Sequence, residues 1–227
     1  MTVYFISGLG ADERAFKKIK LADTIEIIHV KWPEHDDDES LQSYCLKITK
    51  SIDTSKEFSL VGLSFGGIIA IELLKILVPK TITIISSVST KDELPGYLKF
   101  LKRIKLYKIV PGFLMNKGSW FFNLSNCLGD KEDSELVRTI IRETNPYFIK
   151  WAIDKIVNWT NESRPKGLYH IHGDRDNTFP LSKVKADYVI NGGGHLMVLT
   201  HAREISKKLN ERLKNHGIYK ASEQIGI

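Results

Sequence analysis

The sequence predicts an α/β fold, a mostly parallel sheet with helices on both faces and a helical insertion. Short apolar runs alternate with helix-period segments up to Ser86 and again from Leu168 onward. That alternation builds parallel strands joined by helical crossovers. Residues 90–166 between the two blocks show only helical spacing. At 227 residues and 42% hydrophobic composition the chain can bury one substantial core. The expectation is therefore a single domain, 1–227, with residues 90–166 as a helical insertion within it.

Each element follows from a local pattern. Residues 3–7 read as a strand, 12–19 as a helix, 24–30 as a strand and 40–52 as a helix. The acidic run Asp36-Asp37-Asp38-Glu39 precedes that last helix, where negative charge suits the helix N-terminus. Residues 58–63 form a strand, 65–77 a helix and 81–86 a strand. Inside the insertion, Leu98, Leu101 and Ile104 recur near helical spacing, as do Val137, Ile140 and Ile141, and Trp151, Ile153, Ile156 and Trp159 extend the pattern. Strands 168–172 and 186–190 and a helix over 196–215 close the chain.

Between the third strand and its helix lies Gly62-Leu63-Ser64-Phe65-Gly66-Gly67. A serine hydroxyl is a weak nucleophile unless it is exposed to a base and flanked by donors for an oxyanion. A sharp G-x-S-x-G turn meets both needs, because glycine leaves out the side chains that would collide around the serine. The helix that follows points its N-terminal N–H groups toward the same place. Further along, Gly173-Asp174-Arg175-Asp176-Asn177 sets carboxylates at the end of a strand, and Gly192-Gly193-Gly194-His195 places one imidazole after the next strand. The chain order is serine, aspartate, histidine, with either Asp174 or Asp176 as the acid.

With these motifs the chain resembles a small member of the α/β-hydrolase superfamily over nearly its whole length. The resemblance implies Ser64 as nucleophile and His195 as base. Asp176 matches the family's acid in His-Gly-x-x-Asp, with Asp174 as the fallback. The first loop, Ser7-Gly8-Leu9-Gly10, resembles the family's oxyanion loop, with Ser7 where the family has histidine. The oxyanion donors implied are the backbone N–H groups of Leu9 and Phe65. The chain matches the family from its third strand on, so the two antiparallel strands that often open the fold are expected to be missing. That leaves a sheet edge free for pairing, including homo-oligomer formation. The insertion resembles the family's cap, and Trp120, Phe121 and Phe122, with Tyr97, Phe100 and Phe113, are expected to supply an apolar wall for substrate. The activity implied is a serine hydrolase acting on an ester or thioester through an acyl-enzyme. A lyase of the same fold and a ligand-binding derivative are the alternatives.

Other features bound the function. His170-Ile171-His172-Gly173-Asp174 partly matches a metallo-β-lactamase signature, but Arg175 stands where its final histidine belongs. No metal is expected and no cofactor is implied; the two histidines share one strand face as packing and hydrogen-bonding residues. Cys45 and Cys127 form no C-x-x-C pair, which fits reduced thiols and a cytoplasmic protein. No leader-like segment and no uncharged run long enough to span a bilayer is present, so stable membrane insertion is not expected. From Lys91 to Gly118 there are seven Lys or Arg against two acids, +5 of the total +6. The bland account is a lysine-solubilised helix; the alternative is attraction of an anionic substrate or surface. No nucleic-acid motif accompanies the charge. The expected partner is a small-molecule acyl substrate.

Overall fold

The computed structural model describes residues 1–111 and 130–217. Within them six strands form one sheet: β1 (Thr2–Ile6), β2 (Glu26–Val30), β3 (Phe58–Leu63), β4 (Ile82–Ile85), β5 (Leu168–Gly173) and β6 (Tyr188–Ile190). Their order is β2-β1-β3-β4-β5-β6, and all five pairings are parallel. The registers Ile6↔Gly62, Leu63↔Ile85 and Ile85↔Ile171 align the C-terminal ends of β1, β3, β4 and β5 along one edge. In open parallel sheets that edge is where ligands bind.

The described helices, numbered in chain order, are α1 (Leu41–Thr49), α2 (Phe65–Leu73), α3 (Gly96–Ile104), α4 (Leu106–Ile109), α5 (Lys131–Glu143), α6 (Pro146–Val157), α7 (Met197–Thr200) and α8 (Ala202–Asn215). Strand alternation divides the core in two. Tyr4 and Ile6 join one cluster with α1 and α2, while Val3 and Phe5 join the other with α8. Helices thus cover both faces, as the sequence predicts. Local capping sets their starts. The Ser40 side chain accepts from the Ser43 N–H at 3.0 Å, Asp130 accepts from Glu132 N–H at 2.7 Å, and Asn145 accepts from Tyr147 N–H with Pro146 in the first turn. Glu39, last of the acidic run, is buried and pairs with Lys47 at 2.8 Å.

Two elements differ from the sequence expectation. The helix expected at 12–19 is a single 3₁₀ turn, Glu13–Phe16, held by the Asp12 carboxylate accepting from Arg14 N–H. The helix expected over 196–215 breaks at His201 into α7 and α8. Met197, Val198 and Leu199 are all buried, which no straight helix with one apolar stripe allows. The break lets α8 turn Ile205, Leu209 and Leu213 onto the sheet.

Helix α6, though it lies in the segment between β4 and β5, is built into the main core. Phe148 and Trp151 stack at 5.8 Å and pack against Tyr44 of α1, while Trp32 stacks on Phe65 at 5.6 Å. The Trp151 indole N–H donates to the Glu39 carbonyl at 3.1 Å. Beyond the helix, the Trp159 indole donates to the buried Glu72 carboxylate, which also takes Lys75 at 2.7 Å. Helix α6 therefore anchors the segment to the sheet. Trp151→Ala is expected to lower the unfolding free energy by about 3–5 kcal/mol, read from urea denaturation; a loss under about 1 kcal/mol would mean that the cluster is peripheral.

Candidate active site

Ser64 sits between β3 and α2 with φ 52° and ψ −118°, a conformation costly for any residue with a Cβ. Its backbone is pinned on both sides. The Ser64 N–H donates to the Ile85 carbonyl at 2.9 Å, and the Ser87 hydroxyl donates to the Ser64 carbonyl at 2.7 Å. The glycines are required by close approach. A Cβ at Gly62 would stand 2.3 Å from the Gly66 carbonyl oxygen, and one at Gly66 would stand 2.2 Å from the Ile6 carbonyl oxygen.

The loops that carry Asp176 and His195 meet in the same way. A Cβ on Gly173 would lie 2.1 Å from the Gly193 carbonyl oxygen, so the two loops touch backbone to backbone. This brings His195 between the other two side chains. Its Nδ1 lies 2.8 Å from Asp176 Oδ2, and its Nε2 lies 3.0 Å from Ser64 Oγ. With Asp176 ionised, Nδ1 carries the proton and Nε2 is left to accept from the serine. Asp176 Oδ1 accepts from the Thr178 and Phe179 N–H groups at 2.8 and 2.9 Å. Burial would raise the Asp176 carboxyl, but the facing His195 and these hydrogen bonds outweigh it and hold the pKa below the ordinary value. Asp174 is bonded elsewhere. It accepts from Gly192 N–H at 2.7 Å and so shapes the glycine loop that carries His195.

The first loop lies beside the serine, with Gly8 close enough that a Cβ there would be 3.2 Å from Ser64 Cβ. Ser7 is buried, and its hydroxyl donates to the Ala11 carbonyl at 2.8 Å, closing the loop on itself. Leu9 lines the cavity next to Ser64. The Phe65 N–H opens α2 and has no acceptor within that helix.

A cavity of about 470 Å³ contains Ser64 and His195 in its wall. Tyr97 lines it, as the sequence expectation has it, but Phe100 is 60% exposed and faces away. Trp120, Phe121 and Phe122, like Phe113, lie outside the described residues. The described wall is instead mainly aliphatic, from Leu98 and Leu101 of α3, Val137, Ile140 and Ile141 of α5, and Ile153 of α6. Those positions carry a plain helical apolar period, which the sequence shows without saying whether a helix face meets core or empty space. On the outer side of α3, Lys102, Arg103 and Lys105 are exposed.

No protein-family model and no curated protein sequence matches the chain. Its fold is nevertheless similar to solved structures. MenH from S. aureus is 16% identical with a TM-score of 0.73, over 96% of this chain and 94% of that one. A carboxylesterase of the thaumarchaeon Nitrososphaera gargenis is 13% identical with a TM-score of 0.70, over 95% and 90%. A thermophilic esterase from Thermogutta terrifontis is 15% identical with a TM-score of 0.62, over 95% and 90%. The chain has the α/β-hydrolase fold.

Behind the Asp176 loop, His170 and His172 are fully buried and bonded to each other. His172 Nε2 donates to the Phe179 carbonyl at 2.7 Å, so its Nδ1 is free to accept from His170 Nε2 at 3.0 Å. The Phe179 N–H in turn holds Asp176, which makes the pair a support for the loop that carries Asp176. Burial pushes both imidazoles down, His170 to about 3, even though Asp176 pulls the other way. A base with a lowered folded pKa binds its proton more readily in the unfolded chain. Stability is then full above the unfolded value near 6.5 and falls as the pH drops below it. His29, lowered mainly by burial, adds in the same direction. Between about pH 6.5 and about pH 5 the unfolding free energy should fall by up to about 1.4 kcal/mol per pH unit on account of His170, with His172 and His29 adding in the same direction, measured by urea denaturation. A flat profile over that window would contradict neutral buried imidazoles.

Proposed function

We propose that the chain is a serine hydrolase that cleaves a carboxylic ester or a related acyl bond, such as a thioester, through an acyl-enzyme. The observation that carries this reading is the continuous line from Ser64 Oγ through the His195 imidazole to the buried Asp176 carboxylate, at 3.0 and 2.8 Å. His195 Nε2 takes the proton as Ser64 Oγ attacks the acyl carbon. The tetrahedral oxyanion is held by the N–H groups of Leu9 and Phe65. On its collapse the bond to the leaving group breaks, and His195 returns the proton to the departing alcohol or thiol. Water then attacks the acyl-enzyme with His195 again as base, which frees the carboxylic acid and restores Ser64. Asp176 fixes the imidazole tautomer and stabilises the cation without itself taking a proton.

In this reading, residues 90–166 act as a cap over the cavity of a single domain. The reaction needs no cofactor, and the substrate is a small acyl compound rather than a nucleic acid. Cys45 takes no part, since burial pushes its thiol up to about 12. A cytoplasmic setting fits the unpaired Cys45, and no described helix is long and apolar enough to cross a membrane.

Ser64→Ala and His195→Ala are each expected to lower kcat on the order of 10⁶-fold against an activated ester, with folding retained by circular dichroism. Asp176→Asn should cost on the order of 10⁴-fold, and Asp174→Asn far less. Substantial activity in Ser64→Ala, or the reverse ranking of the two aspartates, would overturn the assignment.

A further inference from the structure

The described cavity wall carries no lysine, arginine, aspartate or glutamate. Two of its hydroxyls are already committed. Tyr97 donates to the Thr178 carbonyl at 3.1 Å and Tyr107 to the Asp154 carboxylate at 2.9 Å. Beyond Ser64 and His195, only the small Thr178 side chain adds a polar group to the lining. A charged or polyhydroxylated acyl group placed here would lose its water and gain nothing in return. A hydrocarbon would lose no hydrogen bond and would meet leucine, isoleucine and valine from α3, α5 and α6.

Size narrows the class. A space of about 470 Å³ lies within the range of pockets that bury a whole small-molecule ligand, so the cavity has room for a chain well beyond acetyl. Part of that space must take the reacting carbonyl and the start of the leaving group. We propose that the cavity selects an uncharged aliphatic acyl chain substantially longer than acetyl. This inference rests on the hydrolase reading for its chemistry, but the preference of the cavity can be measured without turnover.

The test is calorimetric binding of p-nitrophenyl esters to Ser64→Ala, from acetyl through butyryl, octanoyl and decanoyl to myristoyl. An octanoyl ester with a terminal carboxylate completes the set. Affinity should rise by about fourfold for each added methylene until the cavity fills, and then stop rising. The terminal carboxylate should cost at least about tenfold against its uncharged counterpart. Val137→Phe should move the limit to shorter chains and Leu98→Ala to longer ones, so the inference does not depend on one variant folding. Affinity that is flat from acetyl onward, or equal binding of the carboxylate-bearing chain, would overturn it. Kinetics on the wild-type protein separate the two claims. Rising affinity without Ser64-dependent turnover would leave the chain selectivity standing and defeat the hydrolase reading. Ser64-dependent turnover with no chain-length preference in binding would do the reverse.

Discussion

At the C-terminal edge of the sheet the chain crosses itself twice with no side chain between the strands of backbone. Gly66 at the start of α2 lies against the end of β1, and Gly173 at the end of β5 lies against Gly193. The first crossing brings the Ser7–Ala11 loop beside Ser64, and the second brings the Asp176 loop beside His195. Any Cβ at these points would force a backbone apart by more than a side-chain adjustment can absorb. The positive φ of Ser64, a cost of about 1–3 kcal/mol, is tolerated because the surrounding structure holds it from both sides. The Ile85 carbonyl and the Ser87 hydroxyl supply those holds, and both belong to the neighbouring strand or the residues just after it.

The rest of the site is arranged around a buried negative charge. Asp176 is nearly inaccessible, and a carboxylate there is stable only if both oxygens are hydrogen-bonded. Two backbone N–H groups take one oxygen and His195 takes the other. The neutral His170–His172 pair fixes the Phe179 carbonyl from behind, so the peptide that feeds Asp176 is itself held. Above this polar line the cavity is almost wholly hydrocarbon. Such apolar surroundings lower the local dielectric and strengthen the hydrogen bonds of the polar line.

Much of this was legible in the sequence, because it depends on local patterns. The strands 58–63 and 168–172, the Gly62–Gly67 turn and the carboxylates after β5 carry their signals within a few residues. The choice between Asp174 and Asp176 was narrowed only by resemblance, since both sit in one polar turn and their partners, Gly192 and His195, are distant in sequence. The break at His201 was not legible either, because the apolar spacing of residues 196–215 continues across it and only tertiary burial of Met197, Val198 and Leu199 turns the chain. The cavity wall shows the same limit. Val137 and Ile140 repeat with the period of any amphipathic helix, and the sequence does not say that they face a space rather than a neighbour. Of the aromatics expected to line the cavity, Tyr97 does so and Phe100 does not, because its place on α3 turns it outward, a distinction that needs the helix's orientation and not only its sequence.

The central claim is that Ser64 is an activated nucleophile. It is tested most directly by intact-protein mass spectrometry after treatment with a fluorophosphonate, with Ser64→Ala as control. The account predicts a single adduct on the wild-type protein, mapping to Ser64 and absent from the variant. A folded wild-type protein that takes no adduct, or an adduct that persists in Ser64→Ala, would contradict it.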